Sequence, residues 1–491
     1  MGGIDKKAIN DLIRKRQPFS LSFKFADLNT IMTIDGIYAK ILTAHDQLYL
    51  LNSVISIMRE VTANAQKANA KRVYFIGTGL NIKDPGDYNK GMESFKSQIM
   101  QKPDEMSALL NKSDFTVTFN FGISDRGIRI SVKNNAALLP RELERINLRL
   151  EAARKYQNLM EAFNDIEDPT EGAGLGIALV VVTLKNIGID PALFKIESVA
   201  QSTAVTLEIP REIKPGGTVS VVKDRILKDI TDLPPFPANI VRIMGLCDDQ
   251  DSSLDVIAEG ILSDPALTTS ILKLSNSAAF VTAKRNETVN EAVKILGIKN
   301  IRSLIMASGA RRILEERYSM YEEIWDHCTK VACYARLIAQ KFHGQGAVEH
   351  ASLAGLLHDL GKIILLSTDP ATAKRIAEET KNRELITETF MEEIAIGISH
   401  STIGGLVAEK WNFPGYLAEA IQCHHDPLKA SPANEAVVNS VYLANMFCGI
   451  ETRKYAFHYI YGSVLEKYQL SDEKAFKEYH EFLKKSYSSY Q

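Results

Sequence analysis

The first part of the chain alternates between helical and strand-like spacing of its hydrophobic residues. From Tyr49 to Ala70 apolar residues recur every three or four positions, which predicts an amphipathic helix, and residues 71–77 then have the apolar run of a strand. Two alternating runs, 115–121 and 128–132, flank turn residues at 125–127 and predict a hairpin. After another helix, runs 193–199 and 204–209 predict two more strands. The first 210 residues therefore have the pattern of an α/β unit.

The second part of the chain has the spacing of helices alone. Two prolines and two glycines between Pro210 and Gly217 predict a linker, and amphipathic helices then follow one another from Lys223 to about Gly449. We therefore divide the chain into an α/β domain at residues 1–210, a linker at 211–225, an all-helical domain at 226–450 and a C-terminal helical extension at 451–491.

Composition and charge indicate a folded protein without a general affinity for polyanions. The chain is 45% hydrophobic and 24% charged, with a net charge of -2. Residues 1–16 lack the apolar segment of a signal peptide, and no apolar run reaches the roughly 20 residues of a membrane span. The five cysteines form no CxxC pair. We expect a cytoplasmic protein whose partners are neither membrane nor nucleic acid.

Histidine placement is the strongest chemical signal in the helical part. The run from Leu356 to Lys362 contains an adjacent His-Asp pair, His358 and Asp359, and further histidines occur at His327, His400, His424 and His425. A lone helical histidine is usually a packed core residue. A His-Asp pair among several imidazoles, however, is a ligand set for one or two divalent ions that activate water.

Several short stretches of the helical part carry a family resemblance: residues 233–237, 263–267 and 274–279, continued by 291–297 and 301–304. Together they resemble the HDOD family, an HD-related signalling domain of bacteria. It implies an all-α fold and a signalling role without an established catalytic activity. The local roles of these residues are simpler: Pro237 and Pro265 suit helix starts, and Ser263 suits an N-cap.

The order of the histidines also resembles that of HD phosphohydrolases, including the branch that hydrolyses cyclic dinucleotides. There the histidines, the His-Asp pair and a final Asp on a late helix hold a metal centre. This chain has Asn445 in the final position. An amide offers a neutral oxygen to iron, manganese or magnesium but adds no charge and cannot act as a base.

Two charged residues near these histidines have alternative roles. Lys362, four positions after His358, either faces a phosphate or extends to solvent. Glu393, seven positions before His400, shares a helical face with that histidine if the helix is continuous. It then either pairs with an imidazole or is solvated.

Three polar residues of the α/β part, Glu60, Asn64 and Lys67, lie on one face of the first long helix. They resemble the N box of the GHKL ATPase superfamily, which includes histidine kinases and whose N-box Asn ligates magnesium. Gly172, Gly174 and Gly176 open a later helix and resemble the second glycine box, where backbone amides favour phosphate. The resemblance implies a site for ATP and magnesium.

Other parts of the GHKL pattern are altered. Asn134 stands where the family has an Asp that accepts the adenine amino group, and no glycine follows it. Thr203, before the last strand, is expected near the base. Only His45 precedes the N box, without space for a phosphoacceptor hairpin, so we do not expect autokinase activity.

Between the two boxes, residues 141–163 carry apolar side chains at near-heptad spacing. Packing against the sheet and a contact between two copies of the chain both account for this pattern.

We therefore predict a multidomain α+β protein, with an N-terminal GHKL-like α/β sandwich followed by an all-α HDOD domain. The expected function is bacterial signal transduction, in which nucleotide or metal occupancy controls binding of other signalling proteins. A metal-dependent phosphodiesterase of cyclic or linear nucleotides is the first alternative. A divergent GHKL ATPase regulated by the HDOD half is the second.

Overall fold

The computed structural model describes residues 6–100, 102–165, 173–213, 221–278, 285–318, 321–382, 388–452, 457 and 460–489. These residues form two compact units. The first precedes Val221 and is grouped with Ile394–Gly397, and the second comprises the remaining residues from Val221 onward. The predicted linker falls partly outside the described residues, and Gly172 lies outside them.

The first unit contains a five-stranded antiparallel sheet with strand order β1-β2-β3-β5-β4. Side chains of β2 alternate between buried and half-buried positions, because successive residues of a strand point to opposite faces. The hairpin register pairs Phe121 with Ile130, and Val132 of β3 pairs with Val205 of β5. The strands are β1 (Phe19–Phe23), β2 (Val117–Ser124), β3 (Gly127–Asn134), β4 (Phe194–Val199) and β5 (Ser202–Pro210).

Helices α3 and α8 of the first unit pack on each other, α3 also contacts β2 and β3, and α6 packs on α8. The helices are α1 (Lys6–Arg14), α2 (Leu28–Thr43), α3 (Leu51–Thr78), α4 (Pro85–Phe95), α5 (Pro103–Asn111), α6 (Pro140–Lys155), α7 (Leu159–Asp165) and α8 (Ala173–Asn186). The predicted hairpin and final strand pair are confirmed. Whether the arrangement is a GHKL sandwich stays a prediction.

The strand predicted at residues 71–77 is wrong, because α3 continues as a helix to Thr78. Arg72 forms an ion pair with Glu142, and the Phe75 side chain is fully buried. Gly79 then ends the helix in the left-handed conformation, with a φ of 70°. Tertiary packing has therefore overridden the β propensity of the Val-Tyr-Phe-Ile run.

The predicted near-heptad face of helix α6 is mostly covered. Ile146 and Leu150 are half-buried and Ala153 is buried, whereas Leu143 is 38% exposed. Leu148, which lies outside that face, is 61% exposed. The structure thus shows packing of α6 on α8 at one side.

The second unit is all-helical over the residues that the structure describes. Its longest helix, α13, is bent at Gly297, whose φ of 76° is not helical. The helices are α9 (Val221–Thr231), α10 (Ala238–Asp248), α11 (Leu254–Leu262), α12 (Pro265–Ser275), α13 (Val289–Arg317), α14 (Glu322–Phe342), α15 (Gln345–Leu357), α16 (Leu360–Thr368), α17 (Pro370–Asn382), α18 (Glu388–Ile396), α19 (His400–Lys410), α20 (Gly415–Cys423), α21 (Glu435–Glu451), α22 (Gly462–Lys467) and α23 (Glu473–Ser488).

The core of this unit is formed by α14, which packs on α15 and α21. The C-terminal helix α23 also belongs to it: Phe476 stacks on Phe447 of α21, and the Tyr479 hydroxyl donates to the carbonyl of Leu337 on α14. The C-terminal extension is therefore part of the folded helical unit.

One helical stretch, Gly346–Thr368, is long and apolar enough to cross a membrane by length and composition alone. It is 78% buried within the protein, and it is interrupted by the turn at His358 and Asp359. A buried core helix satisfies the same criteria, so this stretch is weak evidence for a membrane span.

Candidate metal centre

Most of the predicted ligands of the helical unit lie at helix ends that converge on one point. His358 is the C-cap of α15 and Asp359 the N-cap of α16, so the turn between these helices presents both side chains. His400 is the first residue of α19, and His424 is the C-cap of α20, with His425 following it. His327 lies on α14, which packs along α15.

Asp359 is the centre of this arrangement and belongs to two ligand groups. In one group its Oδ1 lies 3.3 Å from His400 Nε2 and 3.5 Å from His424 Nε2, and His425 completes the set. In the other its Oδ2 lies 3.6 Å from His358 Nε2 and 3.8 Å from His327 Nε2. The ligand atoms of each group lie within 4.8 Å of one another. A carboxylate with one oxygen toward each group is arranged to bridge two ions.

The hydrogen bonds of the outer ring nitrogens orient the imidazoles. His358 Nδ1 donates to the carbonyl oxygen of Gly355 at 2.8 Å, and His424 Nδ1 donates to that of Ile421 at 2.7 Å. Because a carbonyl oxygen only accepts, both rings carry their proton on Nδ1 and present a bare Nε2 to the centre. His358 Nε2 is buried and has no hydrogen-bond partner in the described structure.

The spacing of the inner nitrogens requires a proton or a cation between them. His400 Nε2 lies 3.3 Å from His424 Nε2 and 3.1 Å from His425 Nε2. Two nitrogen lone pairs at this separation repel each other unless a proton or a cation lies between them. The Glu392 carboxylate and Asp359, acting against burial, raise the pKa of His400 to about 10, so that a proton fills this place when no metal does.

Burial and neighbouring charges leave the other ligands in the forms that bind metals. Burial, reinforced by the neighbouring imidazoles, lowers the pKa of His358 to about 3 and that of His425 well below its usual value. Burial alone would raise the pKa of Asp359, but the charge of Lys362 and the hydrogen bond from His400 outweigh it and hold that pKa well below its ordinary value. Neutral imidazoles and an ionised carboxylate are the ligand forms that divalent metals require.

The centre is closed on most sides. The side chains of His358 and His400 have no exposed surface, whereas the His327 side chain is 33% exposed and His425 is half-buried. Lys362 is half-buried and close enough to Asp359 to lower the pKa of that carboxyl group. The accessible edge therefore lies at His327 and His425.

Asn445 is buried on α21, the helix that packs on both α14 and α15. Its neutral amide stands on a helix adjoining two of the ligand-bearing helices, and it adds no charge to the centre.

Glu392 is the residue of this site that the sequence analysis missed. Its carboxylate contacts His400 Nδ1 at 2.8 and 2.9 Å and is buried, whereas Glu393 is exposed. The expectation for Glu393 assumed a continuous helix, but α18 ends at Ile396 and Gly397 has a φ of 85°. The separation of seven residues therefore does not place Glu393 and His400 on a common face.

In the first unit, Glu60 and Asn64, two of the three residues whose spacing resembles an N box, lie beside the start of α8. A Cβ atom built on Gly176 would overlap the Glu60 carboxylate, and Asn64 Nδ2 donates to Glu60 Oε1 at 3.0 Å. Asn64 and Lys67 are exposed. Gly174 lies in the first turn of α8. The structure thus brings Glu60 and Asn64 to the glycine-rich end of this helix.

The two residues predicted near the adenine are buried and paired across β3 and β5. Asn134 Nδ2 donates to Asn69 Oδ1 at 2.9 Å, and Thr203 Oγ1 donates to the carbonyl of Ala136 at 2.7 Å. Both side chains therefore take part in internal hydrogen bonds.

Comparison with known proteins identifies the helical unit. Residues 233–427 match the model of the HDOD domain. The chain is 27% identical over 488 residues to an uncharacterised protein of Treponema pallidum, which covers 99% of this chain and 95% of that protein. The second unit therefore contains an HDOD domain, as its sequence predicts.

Two solved structures are similar to about half of this chain at low identity. An HDOD domain protein of unknown function from Geobacter sulfurreducens is 22% identical, with a TM-score of 0.44, and the match covers 55% of this chain and 96% of that one. A candidate phosphohydrolase from Shewanella amazonensis is 23% identical, with a TM-score of 0.40, and the match covers 55% and 98% of the two chains.

Proposed function

We propose that the HDOD domain binds two divalent ions at the Asp359 centre and, through them, a phosphate ester, and that occupancy controls binding of another signalling protein. The observation that carries this proposal is the sharing of Asp359 between two ligand groups. Iron and manganese suit a set of imidazoles and a carboxylate better than magnesium does, because magnesium prefers oxygen ligands.

The chain's own residues favour binding over turnover. A bound divalent ion would polarise a phosphoryl oxygen. Lys362, half-buried beside the centre, would offset phosphate charge, and the exposed edge at His327 and His425 would admit the ligand. Asn445, unlike an aspartate, cannot accept a proton as a base, which favours binding over hydrolysis.

Metal analysis tests this proposal directly. Purified protein supplied with Mn²⁺ should retain about two ions per chain by inductively coupled plasma mass spectrometry, as the two ligand groups require. The variant His358→Ala, which removes a ligand from one of the two groups, should retain about one ion per chain. A metal-free wild-type protein after reconstitution with Mn²⁺ and Fe²⁺ would refute the proposal.

Phosphodiester hydrolysis is the second candidate function, and the retention of five histidine ligands around one carboxylate supports it. An assay with cyclic and linear dinucleotides in Mn²⁺ or Fe²⁺ separates it from the binding role. If the missing base limits turnover, Asn445→Asp should increase the rate. Activity that persists in His358→Ala would come from a contaminant.

For the first unit we propose binding of ATP and magnesium at the start of α8. The proximity of Glu60 and Asn64 to Gly176 supports this assignment, since helix N-terminal amides favour phosphate. Nucleotide occupancy would then be a second input to the same signalling protein, and ATP hydrolysis regulated by the HDOD domain is the enzymatic alternative. Homodimerisation through α6 remains a further prediction.

A further inference from the structure

Glu392 lies behind His400, on the side of the ring that faces away from the other ligands. The backbone N–H of His400 donates to Glu392 Oε2 at 2.8 Å. The same carboxylate accepts from His400 Nδ1, through contacts of 2.9 Å to Oε1 and 2.8 Å to Oε2. Glu392 is 2% exposed, so these contacts are shielded from water.

The local fold explains why this carboxylate reaches His400. After α18 ends, the chain turns at Gly397, and α19 begins at His400 with Ser399 as its N-cap. The first N–H groups of a helix have no partners within it, and a negative charge is favourable there. Glu392 therefore satisfies a free backbone N–H and orients an imidazole with one carboxylate.

The charge of the centre makes this contact consequential. Among the described residues of the two ligand groups, Asp359 is the only carboxylate. Asn445 adds no charge, whereas two divalent ions would carry four positive charges. A buried carboxylate that contacts a ligand imidazole, without itself contacting the ions, makes that imidazole a stronger electron-pair donor to the metal.

We propose that Glu392 is a positioning residue of the metal centre, which holds His400 with its proton on Nδ1 and supplies the second negative charge that Asn445 does not provide. This inference rests on the proposed metal-binding function. It assigns to Glu392 an effect on metal affinity that acts through His400.

The test measures Mn²⁺ affinity by competition with a chelator, in wild type, Glu392→Gln, Glu392→Asp and the matched control Glu393→Gln. Loss of a partner that orients a ligand weakens metal binding by roughly 10-fold to 100-fold. We expect that loss in Glu392→Gln, a smaller loss in Glu392→Asp, which keeps the charge, and wild-type affinity in Glu393→Gln. Wild-type affinity in Glu392→Gln, or weaker binding in Glu392→Asp than in Glu392→Gln, would overturn the inference.

A double-variant cycle distinguishes positioning from a general structural role. If Glu392 acts through His400, Glu392→Gln should change Mn²⁺ affinity little in a His400→Gln background. An undiminished effect in that background would overturn the inference. A second readout is needed if circular dichroism shows that Glu392→Gln is unfolded. In that case the absorption spectrum of bound Co²⁺ should differ between Glu392→Asp and wild type. An unchanged Co²⁺ spectrum would overturn the inference.

The two proposals fail in different ways. A wild-type protein that binds no Mn²⁺ overturns the metal-binding function and this inference with it. A wild-type protein that binds Mn²⁺, combined with an unaffected Glu392→Gln variant, overturns the role of Glu392 alone.

Discussion

Gly361 of α16 lies directly against the backbone of α19: a Cβ atom built on it would overlap the carbonyl oxygen of His400 and the backbone nitrogen of Gly404. Neither atom belongs to a side chain that can move aside. This close approach of α16 and α19 accompanies the 3.3 Å separation between His400 Nε2 and Asp359 Oδ1. The glycine after the His-Asp pair is thus part of what assembles the centre.

Gly361→Ala should therefore weaken both the fold and the metal site. Overpacking typically costs about 1–3 kcal/mol, and a backbone clash places this variant at the upper end. Urea denaturation should show that loss, and metal content should fall with it. Gly346→Ala is the control, since nothing lies within 4 Å of its Cβ position. Equal stability of the two variants would contradict the packing argument.

The bridging position of Asp359 predicts how metal content responds to single substitutions. Asp359→Asn removes the one charged ligand that the two groups share, so both ions should be lost. His327→Gln and His425→Gln each affect one group, so each variant should retain about one Mn²⁺ per chain, because a site that lacks one ligand binds more weakly. Mass spectrometry of the reconstituted proteins gives the stoichiometry.

A folding control shows whether a variant loses metal only because it is unfolded. Near-ultraviolet circular dichroism of each variant should match that of wild type. Retention of both ions by Asp359→Asn would show that the carboxylate does not bridge them, and loss of both ions from His327→Gln would show that the two groups do not bind independently.

The hydrophobic pattern predicted much of the fold because it reports burial on one face of each element. The hairpin of β2 and β3 and the helical second half followed from that pattern alone. The extension of α3 through residues 71–77 did not, because it depends on partners distant in sequence, such as Glu142. Local propensity cannot report such contacts.

The residues of the candidate metal centre were likewise predicted only in part from the sequence. Histidine spacing and family resemblance identified the residues that the structure brings around Asp359. The sequence analysis did not identify Glu392, because its contact with His400 depends on a break in the helix at Gly397, which helical periodicity does not reveal. A glycine followed by a Ser N-cap directly before a candidate histidine was the available signal.

Nucleotide binding by the first unit predicts a selective thermal shift. ATP with magnesium should raise the unfolding temperature of wild type, because a ligand that binds only the folded state stabilises it. Asn64→Ala should abolish the shift while leaving the unliganded stability nearly unchanged, since Asn64 is exposed. Lys40→Ala, on α2, is an exposed control that should keep the shift. An equal shift in Asn64→Ala would place the nucleotide elsewhere.

The Glu451 carboxylate predicts a pH-dependent contribution to the stability of the second unit. Burial alone would raise its pKa, but hydrogen bonds from His480, Lys330 and Tyr334 lower the pKa to about 2. Because the folded-state pKa lies below the unfolded value, the stabilisation is complete above about pH 4.5 and is lost as the pH falls toward 2. Its size is roughly 2 to 3 kcal/mol.

Urea denaturation tests this contribution. The difference in free energy of unfolding between wild type and Glu451→Gln should therefore be larger at pH 7 than at pH 3. Glu473→Gln, which breaks an exposed pair, should follow wild type at both pH values. If the difference in free energy of unfolding between wild type and Glu451→Gln does not decrease on acidification, the stabilising role of the ionised Glu451 carboxylate is contradicted.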